Sequence, residues 1–119
     1  MALMLLKRDT IVLELGNEDG LVLCENVAPN GYGMIHIIVF NRRHLSNLED
    51  ILRAAARWAF STFKLAYLAA WIPVHNAAAL SLVQRLGWNL DGHLRGVMIY
   101  CGKRVDAAIY SISKEEALL

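Results

Sequence analysis

Long apolar runs, cysteine, proline and net charge are all scarce in this chain of 119 residues. No apolar run reaches the roughly eighteen residues a helix needs to cross a bilayer: charged residues interrupt most segments, and Pro73, His75 and Asn76 break the one between Lys64 and Arg85, so no membrane partner is expected. The opening Met1 to Leu6 is too short for a signal-peptide core, and its charges, Lys7 and Arg8, follow rather than precede it. It reads as a strand or a docking segment. The two cysteines, Cys24 and Cys101, supply neither a disulfide framework nor a metal-ligand pattern. As isolated thiols they read as small buried hydrophobes, and their scarcity suits a reducing, cytoplasmic setting. A formal net charge of +1 gives no electrostatic reason to expect nucleic acid as a partner. Repeats, low-complexity tracts and linkers are absent as well, so residues 1–119 read as a single domain.

What is present is apolar: hydrophobic residues make up 56% of the chain and charged residues 19%, which excludes a disordered chain. So high an apolar fraction in so short a chain points to surface covered by another chain, either in a homo-oligomer or within a larger protein assembly. Thr10 to Leu15 and Leu21 to Cys24 flank a Gly16-Asn17-Glu18-Asp19-Gly20 turn and read as a hairpin. Pro29 to Gly33 breaks the chain, and Met34 to Phe40 is a nearly continuous apolar strand of the kind covered on both faces.

Ser46 or Asn47 can cap a helix running from Leu48 to Phe63, with Glu49 and Asp50 in its first turn, where the helix dipole favours negative charge. Leu48, Ile51, Leu52, Ala55, Trp58, Ala59 and Thr62 follow three- and four-residue steps, with Arg53 and Arg57 on another face. Leu65 to Ile72 is a strand closed by Pro73. A second helix runs from about Asn76 to Leu86 and stops at Gly87. Trp88 to Ile112 reads as two strands turning near Cys101-Gly102-Lys103. The order strand, strand, strand, helix, strand, helix, strand, strand implies a mixed α/β (α+β) sheet, with a right-handed crossover joining a parallel pair in its middle.

Asn76-Ala77-Ala78-Ala79, Arg85-Leu86-Gly87-Trp88, Asp91-Gly92 with Arg95, and Gly102-Lys103 with Asp106 and Tyr110 form an ordered series. It resembles the C-terminal half of the GNAT acyl-CoA N-acyltransferases, and within them the ribosomal-protein N-terminal acetyltransferases. Their pattern is N-x-x-S, five residues, K/R-x-G-F, then E-G and R, then D-x-x-x-Y, and the spacing here matches from Asn76 to Tyr110 without a gap. The resemblance spans Gly33 to Ser113, roughly two-thirds of the chain.

It implies a GNAT-like β-β-β-α-β-α-β-β fold lacking the usual N-terminal strand and two helices. It also implies acetyl-CoA as cosubstrate and an amine or protein acceptor. The pantetheine would lie along the strand ending at Ile38, Val39 and Phe40, and the pyrophosphate on the loop holding Arg42, Arg43, His44, Ser46 and Asn47. Asn76 would bond the pantetheine arm. The chain departs from the pattern at three places. The loop, Q/R-x-x-G-x-G/A in the family, has no glycine here, and larger side chains crowd a diphosphate. The Ser after Asn76 is Ala79. The tyrosine used as general acid falls on Val83. A domain of this fold that no longer catalyses, serving a binding or structural role such as a phage virion component, is therefore the counterpart expectation.

Each candidate side chain also has a purely structural reading. Asn76 suits a ligand contact or a helix cap. Arg42, Arg43 and His44 suit phosphate binding or a solvated basic loop. His36 suits a general base on the central strand or a packed core histidine, with Glu14 and Glu25 as other candidate bases. Arg95 and Asp106 are expected to pair across the last hairpin. Trp58, Trp71 and Trp88 read as core or interface anchors.

Overall fold

A computed structural model describes the backbone of residues 2–7, 10–15, 20–26, 31–39 and 48–118, and the side chains of 31–35 and 48–118. The strands are β1 (Ala2–Lys7), β2 (Thr10–Leu15), β3 (Gly20–Asn26), β4 (Tyr32–Val39), β5 (Tyr67–Pro73), β6 (Asn89–Tyr100) and β7 (Lys103–Ser113). The helices are α1 (Leu48–Thr62) between β4 and β5, α2 (Ala77–Arg85) between β5 and β6, and α3 (Lys114–Ala117) after β7. All seven strands form one sheet, in the order β1-β2-β3-β4-β5-β7-β6. The pairings are antiparallel except β4 with β5, so the expected mixed sheet with one parallel pair is present. The opening segment takes the first of its two expected forms, a strand paired to β2, so four strands rather than the expected three precede α1 and the N-terminal strand expected to be lacking is present. Among the described residues no helix precedes α1, and none is long and apolar enough to cross a membrane.

Leu52, Ala55, Ala56, Ala59 and Phe60 of α1 and Leu82 and Val83 of α2 are buried in one cluster with Leu68, Ala70 and Ile72 of β5 and Ala108, Tyr110 and Ile112 of β7. The inner face of α1 is turned slightly from the expected stripe. Ala56 and Phe60 are buried, Ile51 and Trp58 half-buried and Thr62 exposed. Arg53 and Arg57 face solvent, as their spacing predicts.

The end of α2 follows from Gly87. Its φ of +80° suits a residue without Cβ. It lets the Gly87 N–H donate to Gln84 O and the Trp88 N–H to Val83 O, closing the helix with a Schellman pair. Trp88 is thereby carried into the core at 9% exposure.

The last hairpin turns through Cys101 and Gly102 with φ values of +51° and +75°, the two positive angles of a type I′ turn. This places Cys101 at an exposed tip, which corrects its reading as a buried hydrophobe: the turn geometry rather than the thiol's packing preference sets its position. The side chain of Cys24 lies outside the described residues.

Candidate active site at a parting of two strands

β4 and β5 run side by side for three residue pairs only: Tyr32 with Tyr67, Gly33 with Leu68, and Met34 with Ala69. Beyond Met34, β4 stays with β3 as far as Val39, its partner Gly20. Beyond Ala69, β5 stays with β7 through Ala70–Tyr110, Trp71–Ile109, Ile72–Ala108 and Pro73–Ala107. Each strand thus keeps its outer neighbour and loses its inner one. A wedge opens toward the C-terminal ends of both strands. The peptide groups of β4 and β5 that face the wedge have no ladder partner across it, and such groups need an alternative partner. In an open sheet the crevice outside the carboxyl ends of parallel strands is where ligands bind.

The sequence lays down the right half of this wedge in a compact way. Asn76 follows three residues after Pro73, the end of β5, and caps α2. Its Oδ1 accepts from the Ala79 N–H at 3.2 Å, and Leu80 N–H donates to its backbone oxygen at 3.1 Å. The structural reading of Asn76 as a cap therefore holds, and among the described residues nothing accepts a hydrogen bond from its Nδ2. The first turn of α2 begins beside the mouth, with amides that lack helical acceptors.

Of the other expected site residues, His36, Ile38 and Val39 are in β4, and their side chains lie outside the described residues. Phe40, Arg42, Arg43, His44, Ser46 and Asn47 lie wholly outside them. So do the side chains of Glu14 and Glu25. Val83, where the resemblance led us to expect a hydroxyl and the sequence has none, is 5% exposed and packs in the core. Tyr110, 6% exposed, accepts a hydrogen bond from Gln84 Nε2 at 3.1 Å and is held within the α2–β7 layer.

Asp106 does not make the expected ion pair with Arg95. One carboxylate oxygen contacts His93 Nε2 and the other accepts from the Gly96 N–H, both at 2.8 Å. The reason is a register shift in β6 between Leu94 and Met98, with Gly96 at φ +58°, which aims a backbone amide at the carboxylate. The His93 contact first, then the Gly96 N–H, hold the Asp106 carboxyl below its ordinary range, with the charge of Arg95 adding a smaller pull. Ser111, the buried polar residue of the sheet, donates to Asp91 at the other irregularity of β6.

Two residues that the sequence pattern did not single out meet beyond the end of β5, on its β7 side. His75, between Pro73 and Asn76, packs its ring on Tyr100, with centroids 4.1 Å apart and planes 38° from one another. The signal for this was arithmetic. The arms of the last hairpin are 12 and 11 residues long and β5 is 7, so a tip fixed by the Cys101-Gly102 turn must overhang the end of β5. The Val74 N–H continues the β5–β7 ladder to Asp106 O at 3.0 Å, and the overhang begins there. A separate concavity of about 520 Å³, lined by Phe60, Phe63, Lys64 and Lys114 among others, lies at the opposite end of β5.

No protein-family model and no curated protein sequence matches the chain. Solved structures do. A spermidine N-acetyltransferase from Vibrio cholerae in complex with CoA and spermine superposes with a TM-score of 0.80 at 20% identity, over 92% of this chain and 68% of that one. A chimera of the Vibrio cholerae enzyme SpeG with hSSAT gives 0.79 at 21% identity, over 92% and 69% of the two chains. The same enzyme in complex with manganese ions gives 0.76 at 21%, over 92% and 66%. The chain thus spans about two-thirds of these neighbours, and it carries the fold of the GNAT acetyltransferases.

Proposed function

We propose that this chain is a GNAT-type N-acetyltransferase that moves an acetyl group from acetyl-CoA to a primary amine. The observation that supports this reading most directly is the wedge after Met34 and Ala69, which offers peptide donors and acceptors to a long thin ligand. A pantetheine arm has amides spaced along an extended chain and could complete the ladder that β4 leaves open. Asn76 at the wedge's right rim would meet the arm, and Ile38, Val39 and Phe40 would lie along it. Arg42, Arg43, His44, Ser46 and Asn47 would carry the phosphates by side chains rather than by a glycine cradle. Transfer in such a site is a matter of holding amine and thioester together and polarising the carbonyl. The neighbour bound to CoA and spermine makes an amine the first acceptor class to test.

Melting the protein with and without millimolar acetyl-CoA tests the binding half of this proposal. A ligand at a hundred times its dissociation constant adds about 2.7 kcal/mol to folded-state stability, enough to raise Tm by several degrees. No shift would overturn the reading. A second reading, acetyl-CoA binding without turnover, is favoured by Val83, whose buried apolar side chain replaces the general-acid hydroxyl of relatives. Release of CoA in the presence of amines separates the two. Association with another chain, proposed from the apolar content and from exposed Tyr32, Tyr67 and Trp71 on the sheet face away from the helices, is read by light scattering.

A further inference from the structure

We infer that Asp91, aimed by Ser111, holds a second positive charge of the acceptor, so that the amine acetylated by this chain is a diamine rather than a monoamine. The inference rests on the acetyltransferase reading above and adds to it the class of acceptor.

The wedge is open on one face of the sheet. Leu68, Ala70 and Ile72 of β5 point into the cluster shared with α1 and α2. Side chains alternate along a strand, so Tyr67, Ala69 and Trp71 stand on the other face, with their partners Tyr32 and Met34 of β4. Neither α1 nor α2 covers that face, and an acceptor meets the wedge from there. A pantetheine arm that leaves the loop after Val39 and follows β4 inward passes five residues, about 17 Å, before the strands close at Met34. That is the reach of the extended arm, and it brings the thioester to the narrow end of the wedge, beside Ala69.

The row of residues that closes the wedge leads outward to a carboxylate. Met34 pairs with Ala69, Ala69 with Ser111, and Ser111 with Asn89. Ser111 shares the open face with Ala69 and is 8% exposed, and its hydroxyl donates to Asp91 Oδ2. Asp91 is the extra residue where β6 slips register between Leu90 and Gly92. Among the described residues no Lys, Arg or His pairs with it. The other carboxylate of this hairpin, Asp106, is engaged by His93 and the Gly96 N–H.

Spacing selects the length of the acceptor. β6 lies two strands from β5, about 10 Å. Subtracting about 2.8 Å for a charged hydrogen bond leaves about 7 Å between the two nitrogens, the span of a five-carbon diamine. Ala69, exposed Trp71 and half-buried Ile109 give the methylene chain apolar ground on the way. A carboxylate buried against an apolar protein surface costs free energy, whereas a cation neutralises it, so the charge favours a diamine on this face over a second chain. The reacting nitrogen arrives as an ammonium and gives one proton to water. Its N–C bond to the acetyl carbon forms as the C–S bond breaks, and its second proton goes to the CoA sulfur. The distal ammonium keeps its protons and stays on Asp91.

The test measures CoA thiol release from acetyl-CoA with 1,5-diaminopentane, 1,3-diaminopropane and pentylamine. The intact chain should prefer 1,5-diaminopentane to pentylamine by about thirtyfold in kcat/KM, the factor given by one charge-assisted hydrogen bond. The three-carbon diamine, too short to span, should show no such preference. Asp91→Asn keeps an acceptor for the Ser111 hydroxyl and should bring the ratio of the two five-carbon amines to about one. Ser111→Ala keeps the charge but frees its direction, and should raise KM for the diamine more than it lowers kcat. Equal kcat/KM for the two five-carbon amines in the parent would overturn the inference, as would a preference that survives Asp91→Asn. A dimer that Trp71→Ala disperses would place a second chain on this face and overturn it too. So would a parent whose melting shifts with acetyl-CoA but which releases CoA with no amine, although the cofactor-binding reading would then stand. Absence of any acetyl-CoA shift would sink both, and the melting measurement tells the two failures apart.

Discussion

Replacing Leu68 by alanine is the most informative single perturbation of this fold. Leu68 has no solvent exposure and is the largest fully buried side chain among the described residues. It lies in β5 opposite Gly33, one pair before the strands part, and in the same cluster as Ala55, Ala56 and Ala59 of α1. Leu-to-Ala changes in cores cost about 2–5 kcal/mol, with the spread set by how far the surroundings collapse into the gap. Three of the five buried α1 residues in that cluster are alanines, which have no rotamer with which to fill a void. The cost should therefore fall in the upper part of that range, about 4 kcal/mol. A domain of this size holds roughly 5–15 kcal/mol in all. With a urea m-value of about 2 kcal/mol/M, the midpoint should drop by about 2 M at an unchanged slope. Urea titration followed by circular dichroism reads this directly. A loss below about 1 kcal/mol would refute the reasoning, because it would mean that the cluster around Leu68 collapses freely into the gap.

Three further outcomes are expected. Ser113→Ala removes one half of the capping box that starts α3, the bond from Glu116 N–H to Ser113 Oγ, while the Ser113 N–H still donates to Glu116 Oε1, and should cost about 1 kcal/mol in the same titration. Cys101→Asn places at a φ of +51° a residue that tolerates that angle better, so stability should rise by about 0.5 kcal/mol, read as a higher Tm. Asp106 and Glu116 have folded-state pKa values lowered from 3.8 and 4.5, Glu116 chiefly through its bond from Asn89. Their contribution is present above the ordinary carboxylate range and fades as pH falls below about 4 through the lowered values. Asp106→Asn combined with Glu116→Gln should therefore flatten the decline of Tm with acid, and an unchanged acid slope would count against both contacts.

Much of this architecture was legible because the residues that set it act locally. Gly87 ends α2 through its own backbone freedom, Glu49 and Asp50 begin α1, and the Cys101-Gly102 pair turns the last hairpin. The one parallel pair followed from a helix that must cross between β4 and β5. What could not be read was whatever depends on a neighbour far along the chain. The Asp106 carboxylate turned from Arg95 to Gly96 because β6 slips register, and no pattern in Leu94 to Met98 announces a slip. The meeting of His75 with Tyr100 needed the difference in length between β5 and the hairpin arms. The inner face of α1 takes in Ala56 and Phe60 beside the expected Leu52, Ala55 and Ala59, and an alanine is too weakly apolar in sequence to mark which face is buried.

The wedge has a consequence for how this shape survives change. Three residue pairs join a ribbon of four strands to a ribbon of three, and the rest of the seam is main chain facing main chain across a gap. A guest lodged there would be read through amides and carbonyls, which every amino acid carries alike. Side chains along the seam can therefore be exchanged freely so long as the two ribbons keep their angle. Only one residue in five is shared with neighbours whose backbone this chain follows over 92% of its length.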